Sequence, residues 1–265
     1  MLGECLCAVR GLRPLVHCVT NYVTANDCAN LLLACGASPI MADAPEEAAE
    51  ITANCAGLVL NLGTPNPRRL ETMLLAGREA NRLNHPVVFD PVGAGASEFR
   101  RDAARTLLKE VRFTAIRGNV SEIEALSRGM EAHRGVDADA RGEDIAAAVR
   151  LARTSGAVVA MTGTTDIVTD GSTVYRVSNG HAMMRAVTGA GCMLSALTGA
   201  FAAANPDVPL KAALSAVCAM GVCGERARAG LCAGEGNATY RNRIIDAMYN
   251  LDPAGLEGEA SYEVL

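Results

Sequence analysis

The sequence predicts an α/β protein, a three-layer sandwich in which a mainly parallel central sheet is flanked by helices on both faces. Short apolar runs that end in Gly, Asn, Asp or Pro recur through residues 14–163, and amphipathic stretches long enough for crossover helices separate them. Half of the 265 residues are hydrophobic, which suffices for a substantial core. No low-complexity linker or internal repeat divides the chain. We therefore expect a single domain over residues 1–265.

The strands and helices are predicted from hydrophobic spacing and from the residues that end each run. The first strand is 14–20, PLVHCVT, which is apolar, rich in β-branched residues and opened by Pro14. The helix after it ends at Gly36, and its apolar face has the i, i+3, i+4, i+7 spacing at Cys28, Leu31, Leu32 and Cys35. Further strands are predicted at 38–41, 57–63, 86–93, 113–119 and 156–163, and crossover helices at 67–84 and 97–111.

The second part of the chain is predicted to leave the parallel pattern. Residues 166–180, DIVTDGSTVYRVSNG, alternate apolar and polar around Asp170-Gly171, which is a strong signal for a two-residue hairpin. This hairpin would be an antiparallel edge of the sheet. From residue 190 the composition is almost wholly helical, and the tail EGEASYEVL at 257–265 predicts a frayed or loosely docked end.

Charge and composition exclude several classes of partner. The formal net charge is −5, the sequence pI is about 5.5, and no cluster of Lys and Arg is dense enough to follow a phosphate backbone, so we expect no nucleic acid partner. No apolar run reaches the roughly 18–20 residues of a membrane span, and the N-terminus lacks the layout of a signal peptide. We expect no membrane partner and a cytoplasmic location.

The cysteines and histidines do not indicate a structural metal site. Ten cysteines and four histidines are scattered without zinc spacing, and in a long chain with no export signal the cysteines are expected to be reduced. Most cysteines are predicted to be small buried hydrophobes. His17 and His181 are predicted to be hydrogen-bonded core histidines. Residues 128–142 contain nothing that indicates chemistry, and we expect a solvated loop there.

The chemistry is expected at the carboxyl ends of the parallel strands, where helix N-termini and loops converge. No G-x-x-x-x-G-K-[ST] motif is present, which excludes a P-loop. Neither Gly93-Ala94-Gly95 nor Gly189-Ala190-Gly191 has the third glycine of a dinucleotide fingerprint. The strand ends instead present Asn21, Met41, Asn61, Asp90, Arg117, Asn119 and Thr162.

The motif AVTGAGCMLSALTGAF, residues 186–201, has two glycines directly before an apolar helix. Gly189 and Gly191 would let backbone amides converge at the helix N-terminus, where the helix dipole favours an anion. The alternative is that these glycines only permit a tight entry into a buried helix. The Cys192 thiol is expected to have a lowered pKa in the first case and to be inert if it is packed in the core.

Three further motifs permit a structural or a functional interpretation. In DPVGAGAS, Asp90 follows a strand and the glycines leave room for a ligand, but an Asx-type turn needs the same residues. In RGNVSEIEAL, Asn119 and Glu122 have the spacing of a helix N-cap and its capping box. The small hydroxyls of MTGTTD, which includes Thr162, suit a ribose or phosphate and equally the start of a hairpin.

Taken together and in this order, the motifs resemble those of the hydroxyethylthiazole kinase family. The resemblance covers about residues 11–250, and its most specific blocks are HCVTNYVTANDCANLLLACGASPIMADAPEE at 17–47 and VTGAGCMLSALTGAF at 187–201. It implies the ribokinase-like fold and transfer of the γ-phosphate of ATP, with Mg²⁺, to the primary alcohol of 4-methyl-5-(2-hydroxyethyl)thiazole, a step of thiamine salvage. It also implies a homotrimer with active sites at the subunit interfaces.

The resemblance implies roles for individual residues. Contacts with the thiazole alcohol are implied for Asn21, Val23, Met41 and Gly189. Contacts with ATP are implied for Arg117, Asn119, Thr162 and Gly191. The Mg²⁺ ion would be held, directly or through water, by Asp90 and Glu122. Catalysis is implied for Cys192, which stands where sugar and pyridoxal kinases of the superfamily have an aspartate base.

Other functions fit the same fold. A kinase of hydroxymethylpyrimidine or pyridoxal, or a nucleotide-dependent NAD(P)HX dehydratase, would be expected to have an aspartate in place of Cys192. A ligand-binding trimer without catalysis is disfavoured by the presence of Asp90, Glu122 and Cys192.

Overall fold

The computed structural model describes residues 1–130 and 143–265. Its strands are β1 (Leu15–Val19), β2 (Ser38–Ile40), β3 (Gly57–Asn61), β4 (Val87–Asp90), β5 (Ala115–Asn119), β6 (Val158–Thr162), β7 (Asp166–Thr169), β8 (Val174–Val177) and β9 (Tyr262–Val264). Its α-helices are α1 (Leu2–Leu12), α2 (Ala25–Cys35), α3 (Pro45–Ala53), α4 (Pro67–Arg82), α5 (Glu98–Glu110), α6 (Val120–Met130), α7 (Glu143–Ser155), α8 (Ala190–Ala204), α9 (Pro209–Ala229), α10 (Asn237–Asn250) and α11 (Pro253–Glu259). A short 3₁₀ helix, Ala182–Ala186, precedes α8. The predicted loop at 128–142 lies outside the described residues except for 128–130, which end α6.

The strands form one sheet in the order β2-β1-β3-β4-β5-β6-β7-β8-β9. The strands β1 to β6 pair in parallel, and β7, β8 and β9 add in antiparallel pairing. This confirms the predicted mainly parallel sheet. Because the parallel strands run in the same direction, their last residues meet at one edge, where Asn61 pairs with Asp90 and Asn119 with Thr162.

Helices cover both faces of the sheet, and each face has its own hydrophobic core. The first core contains side chains of α1, α2, α8, α9 and α10, and the second contains side chains of α4, α5, α6 and α7. Along β3, Val59 belongs to the first core while Leu58 and Leu60 belong to the second, so the continuous apolar run is explained by burial of both faces. A β-carbon at Gly199 of α8 would overlap Val59, so this glycine lets the helix approach the sheet closely.

The hairpin differs from its prediction in two respects. The connection between β7 and β8 has four residues, 170–173, rather than two. The Asp170 carboxylate accepts hydrogen bonds from the amides of Ser172 and Thr173 and so stabilises a wider turn. β8 is also not the edge strand, because β9 pairs with it.

The predicted frayed tail is wrong, since residues 257–265 complete α11 and form β9. The ring of Tyr262 lies edge-on to that of Tyr175, with 5.9 Å between centroids, and Glu263 forms an ion pair with Arg176 at 2.8 Å. These partners are remote in sequence, so the polar composition of the tail contains no local sign of the pairing.

The two histidines singled out in the sequence have different environments. His17 is buried between Thr52 Oγ1 at 2.8 Å and the Ala42 carbonyl at 2.7 Å, which confirms a core histidine. His181 is instead exposed and caps the 3₁₀ helix by accepting from the Met183 amide, so that prediction is wrong. No helix in the described ranges is long and apolar enough to cross a bilayer.

Candidate active site

The N-terminus of α8 reaches the carboxyl edge of the parallel strands. Gly189 is its N-cap and has φ 84°, in the left-handed region that favours glycine. A β-carbon at Gly189 would overlap the Thr24 side chain, and one at Gly191 would overlap the Arg117 guanidinium. The two glycines therefore do more than permit a turn: they let the side chains of Thr24 and Arg117 approach the N-terminus of α8.

Arg117 connects three of the predicted groups. Its Nη2 donates to Thr162 Oγ1 at 2.6 Å, its Nη1 lies 4.0 Å from Asp90 Oδ2, and its guanidinium packs against Gly191. Only 10% of the side chain is exposed. A buried guanidinium beside the amides of a helix N-terminus is a favourable environment for phosphate.

Asp90 is fully buried at the end of β4. Its Oδ2 accepts from Asn61 Nδ2 and from Ser195 Oγ, both at 2.7 Å, whereas its Oδ1 is buried and has no hydrogen-bond partner among the described residues. Burial raises the pKa of Asp90 to about 6, although the Arg117 guanidinium and the two hydrogen bonds favour the carboxylate. The site thus contains one buried carboxylate oxygen whose hydrogen-bonding capacity the described residues leave unused.

Cys192 lies in the first turn of α8, and its sulfur receives two amide hydrogens. Asn21 Nδ2 is 3.2 Å and Asn61 Nδ2 is 3.3 Å from Sγ. Burial, and then the charge of Asp90, raise the pKa of the Cys192 thiol, while hydrogen bonds from Thr24, Asn61 and Asn21 lower it. Of the two alternatives that the sequence leaves open, the lowered thiol pKa is therefore wrong, because desolvation of a partly buried sulfur outweighs the position at the helix N-terminus.

Asn119 and Glu122 form the capping box that their spacing permits. Asn119 Oδ1 accepts from the Glu122 amide at 2.9 Å, and Glu122 Oε2 accepts from the Asn119 amide at 2.8 Å. Glu122 Oε1 accepts from the Gly93 amide at 2.9 Å. Both oxygens of this carboxylate are thus bound to backbone, and the Asn119 side chain is exposed at the start of α6.

A cavity of about 520 Å³ lies beside the N-terminus of α8. Four predicted residues line it, namely Arg117, Thr162, Gly189 and Gly191. Asp166, another lining residue, was not predicted; burial raises its pKa to about 6, and its Oδ1 accepts from the Gly163 amide at 2.9 Å. The volume falls within the range of small-molecule and cofactor sites.

A model of a protein family described as "HK: Hydroxyethylthiazole kinase family" matches residues 6–254. The chain belongs to this family. The hydroxyethylthiazole kinase of Clostridium acetobutylicum is 52% identical over 271 residues, with 99% of each chain covered. These findings confirm the resemblance on which the sequence prediction depends.

Solved structures extend the comparison to the fold. The hydroxyethylthiazole kinase protein from Pyrococcus horikoshii OT3 is 37% identical and has a TM-score of 0.90, covering 100% of this chain and 98% of that one. A ribokinase-like superfamily protein from Enterococcus faecalis is 11% identical with a TM-score of 0.59, covering 92% and 89% of the two chains. At that identity the second match concerns the fold alone, and it agrees with the predicted ribokinase-like architecture.

In this hydroxyethylthiazole kinase family member, the residues expected to contact the thiazole are not enclosed together. Val23 is 64% exposed, and Met41 follows β2 and is half-buried against the first core. Asn21 is buried, and its Oδ1 accepts from the amides of Val23 and Thr24. Because its Nδ2 donates to Asn61 and Cys192, both polar atoms of the Asn21 side chain already have partners within the chain.

Besides Asp166, the sequence prediction does not name Ser195 or Arg100. Ser195, which binds Asp90, shows only as a hydroxyl within the apolar stretch of α8. Arg100 of α5 donates to the carbonyls of Leu62, Gly63 and Val92, and so joins the loops that follow β3 and β4. No sequence signal distinguishes Arg100 from other charged residues of an amphipathic helix.

Proposed function

We propose that the protein transfers the γ-phosphate of ATP to the primary alcohol of 4-methyl-5-(2-hydroxyethyl)thiazole, which gives the thiazole phosphate used to make thiamine diphosphate. One observation supports this reaction best: the Arg117 guanidinium packs against the start of α8, one residue before Cys192, beside a cavity of about 520 Å³. A positive group, an anion-binding helix end and a sulfur that can contact an alcohol are thus adjacent.

Phosphoryl transfer depends mainly on alignment and on neutralisation of charge. Arg117 and the amides at Gly189 to Gly191 would stabilise the transferring phosphoryl group, and Thr162 holds the guanidinium by its hydrogen bond. We assign ATP contacts to Arg117, Asn119, Thr162 and Gly191. The side chain of Asn119 caps α6 and is exposed, so it would contact ATP from the start of that helix.

Asp90 and Glu122 are proposed to hold Mg²⁺. The unpartnered Oδ1 of Asp90 is the kind of oxygen that this ion binds, whereas the two backbone-bound oxygens of Glu122 suit a contact through water. The described residues contain no group of three or more His, Cys, Asp and Glu placed to hold a metal. Most ligands would therefore be nucleotide oxygens and water, and the bound ion would neutralise phosphate charge.

Cys192 is proposed to contact the substrate alcohol. Because its pKa is raised, the sulfur is a thiol at neutral pH, which suits orienting the hydroxyl. Accepting the hydroxyl proton late in the transfer would require the thiolate, which the side-chain amides of Asn21 and Asn61 stabilise. A group in this role typically contributes about 10²- to 10⁴-fold to the rate. The larger part of the acceleration is assigned to Arg117, the helix N-terminus and the metal.

Asn21, Val23, Met41 and Gly189 are proposed to line the thiazole pocket, and the protein is proposed to be a cytoplasmic homotrimer. The exposure of Val23 and of Tyr22, at 64% and 67%, supports a pocket that a second subunit completes. Light scattering should then give three times the chain mass of 27.5 kDa. A monomeric mass at enzyme concentrations that support full activity would contradict the shared site.

The reaction can be tested by substrate competition. Purified protein with Mg·ATP would be offered the thiazole alcohol, hydroxymethylpyrimidine, pyridoxal and hydrated NADH, and ADP and phosphorylated product would be measured. We expect ADP and thiazole phosphate in equal amounts with the thiazole alcohol. Failure to release ADP with that substrate would refute the proposal, and turnover of another would select the alternative function.

A further inference from the structure

The side-chain amide of Asn61 forms all four of the hydrogen bonds available to it. Its Oδ1 accepts from Asn21 Nδ2 at 2.9 Å and from the Gly63 amide at 2.8 Å. Its Nδ2 donates to Asp90 Oδ2 at 2.7 Å and to Cys192 Sγ at 3.3 Å. The residue is buried, so solvent does not compete for these bonds.

These partners determine the orientation of the amide. A backbone amide can only donate, so Gly63 requires Oδ1 on its side, and Nδ2 then faces Asp90 Oδ2, which also accepts from Ser195. Rotation by 180° would place donor against donor and acceptor against acceptor. The second Nδ2 hydrogen of Asn61 is therefore directed to Cys192, whose sulfur must accept it.

Asn21 supplies a second donor to the same sulfur. The amides of Val23 and Thr24 bind its Oδ1, at 3.0 Å and 3.1 Å, which leaves its Nδ2 for Asn61 and Cys192. Two N–H groups from the ends of β1 and β3 thus converge on the Cys192 sulfur. Donors in this arrangement stabilise negative charge on their acceptor.

We propose that Asn61 is a positioning residue that acts through Cys192: together with Asn21 it holds the sulfur as a hydrogen-bond acceptor in the orientation used for the substrate alcohol. This inference rests on the reaction proposed above. It assigns to Asn61 a function separate from its bond to Asp90, because only one of its two Nδ2 hydrogens goes to that carboxylate.

The first test is a double-mutant cycle. Asn61→Leu removes both donors at similar volume, and we expect kcat to fall about tenfold to hundredfold while KM for ATP changes less than about twofold. In a Cys192→Ala background the same substitution should have little further effect, since the two residues act as a unit. An equal fall in both backgrounds would overturn the proposal, because Asn61 would then act through Asp90.

The second test measures the sulfur directly and needs no substrate. Alkylation of Cys192 by iodoacetamide would be followed by peptide mass analysis, which separates it from the exposed Cys7 and Cys232. We expect Asn61→Leu to slow alkylation of Cys192 about tenfold, because thiolate loses a stabilising donor. An unchanged or faster rate would overturn the proposal even if the thiazole alcohol proves not to be the substrate.

Folding is controlled with a milder variant and a matched one. Asn61→Ser retains a polar group and should show the same pattern with smaller effects if Asn61→Leu fails to fold. Thr198→Val removes a buried hydroxyl of α8 that donates to the Leu194 carbonyl, and it should leave kcat and the alkylation rate unchanged. Thermal melts of all variants would show whether a loss of activity follows a loss of structure.

Discussion

The environment of Cys192 contains opposing effects on the thiol pKa, of which burial is the largest. The helix N-terminus and the amides of Asn21 and Asn61 favour thiolate, whereas burial and the negative charge of Asp90 favour thiol, and the balance raises the pKa of the Cys192 thiol. Local sequence contains the helix N-terminus but neither the burial nor the charge. The residue type and its position could thus be predicted, but not its protonation.

Replacing Cys192 separates binding from catalysis. Cys192→Ala should lower kcat by about 10²- to 10⁴-fold and leave ATP affinity nearly unchanged, because the sulfur is assigned to the alcohol and not to the nucleotide. Cys192→Asp should preserve or raise activity if the role is that of a base. Steady-state kinetics and calorimetric ATP titration measure the two effects, and an alanine variant with full rate would remove Cys192 from the mechanism.

Asp166 should make stability depend on pH. Burial raises its pKa to about 6 in the folded protein, above an unfolded value of about 3.9, so its stabilising contribution is present below about pH 4 and is lost as pH rises through about 6. Asp166→Asn should therefore be more stable than the parent by about 1–2 kcal/mol at pH 8, with no difference near pH 4. Urea unfolding measures this, with the exposed Asp207→Asn as control; a pH-independent difference would contradict the assignment.

At the scale of elements, the site depends on how α5, α6 and α8 meet the strand ends. Arg100 of α5 binds three carbonyls in the loops after β3 and β4, and Glu122 of α6 binds the Gly93 amide in the second of these loops. The predicted helices and strands are confirmed, but these contacts between elements follow from the tertiary structure.

Arg100→Ala should loosen both loops. We expect a loss of about 2–3 kcal/mol in the free energy of unfolding, from charge-assisted hydrogen bonds, and a fall of at least about tenfold in kcat as Asn61 and Asp90 lose their positions. Arg101→Ala is the matched control, since that neighbouring side chain is exposed and donates to Gly95. Equal activities of the two variants would show that Arg100 does not support the site.

Gly191→Ala should test the close packing at the start of α8. The added methyl would overlap the Arg117 guanidinium, so we expect kcat to fall at least about tenfold and ATP to bind more weakly, while the fold persists because alanine favours helix by about 1 kcal/mol. Gly11→Ala in α1 places its methyl in open space and should be active. If Gly191→Ala retains the parent kcat and ATP affinity, close packing of the Arg117 guanidinium on residue 191 is not required for ATP binding or catalysis.

At the scale of the whole molecule, one sheet joins the parallel half of the chain to its antiparallel end, which supports the proposal of a single domain over residues 1–265. The C-terminal segment pairs with β8 and there contacts a residue that lines the cavity. Asn179, which lines the cavity, accepts from the Ser261 amide and donates to the Glu259 carbonyl. The tail thus supports a wall of the proposed nucleotide site.

Deletion of residues 260–265 should weaken both stability and ATP binding. The deletion removes β9, the Tyr262–Tyr175 contact and the Ser261 bond to Asn179. We expect Tm to fall by about 2–4 °C for each kcal/mol of stability lost, and ATP affinity to fall several-fold. Glu263→Ala, which removes only an exposed ion pair, is the control and should change Tm little. A deletion variant with the parent Tm would show that residues 260–265 do not stabilise the fold and are only loosely docked.

The sequence by itself determined the parallel α/β architecture, the order of the parallel strands and the residues at their ends, because hydrophobic spacing and glycine and proline positions are local properties. Only the tertiary structure decided which of those residues meet. It placed Arg117 on Gly191, joined Glu122 to the Gly93 amide, directed two amides to Cys192 and paired β9 with β8. Such contacts join groups remote in sequence, and their burial and charge, which set protonation, exist only once the chain has folded.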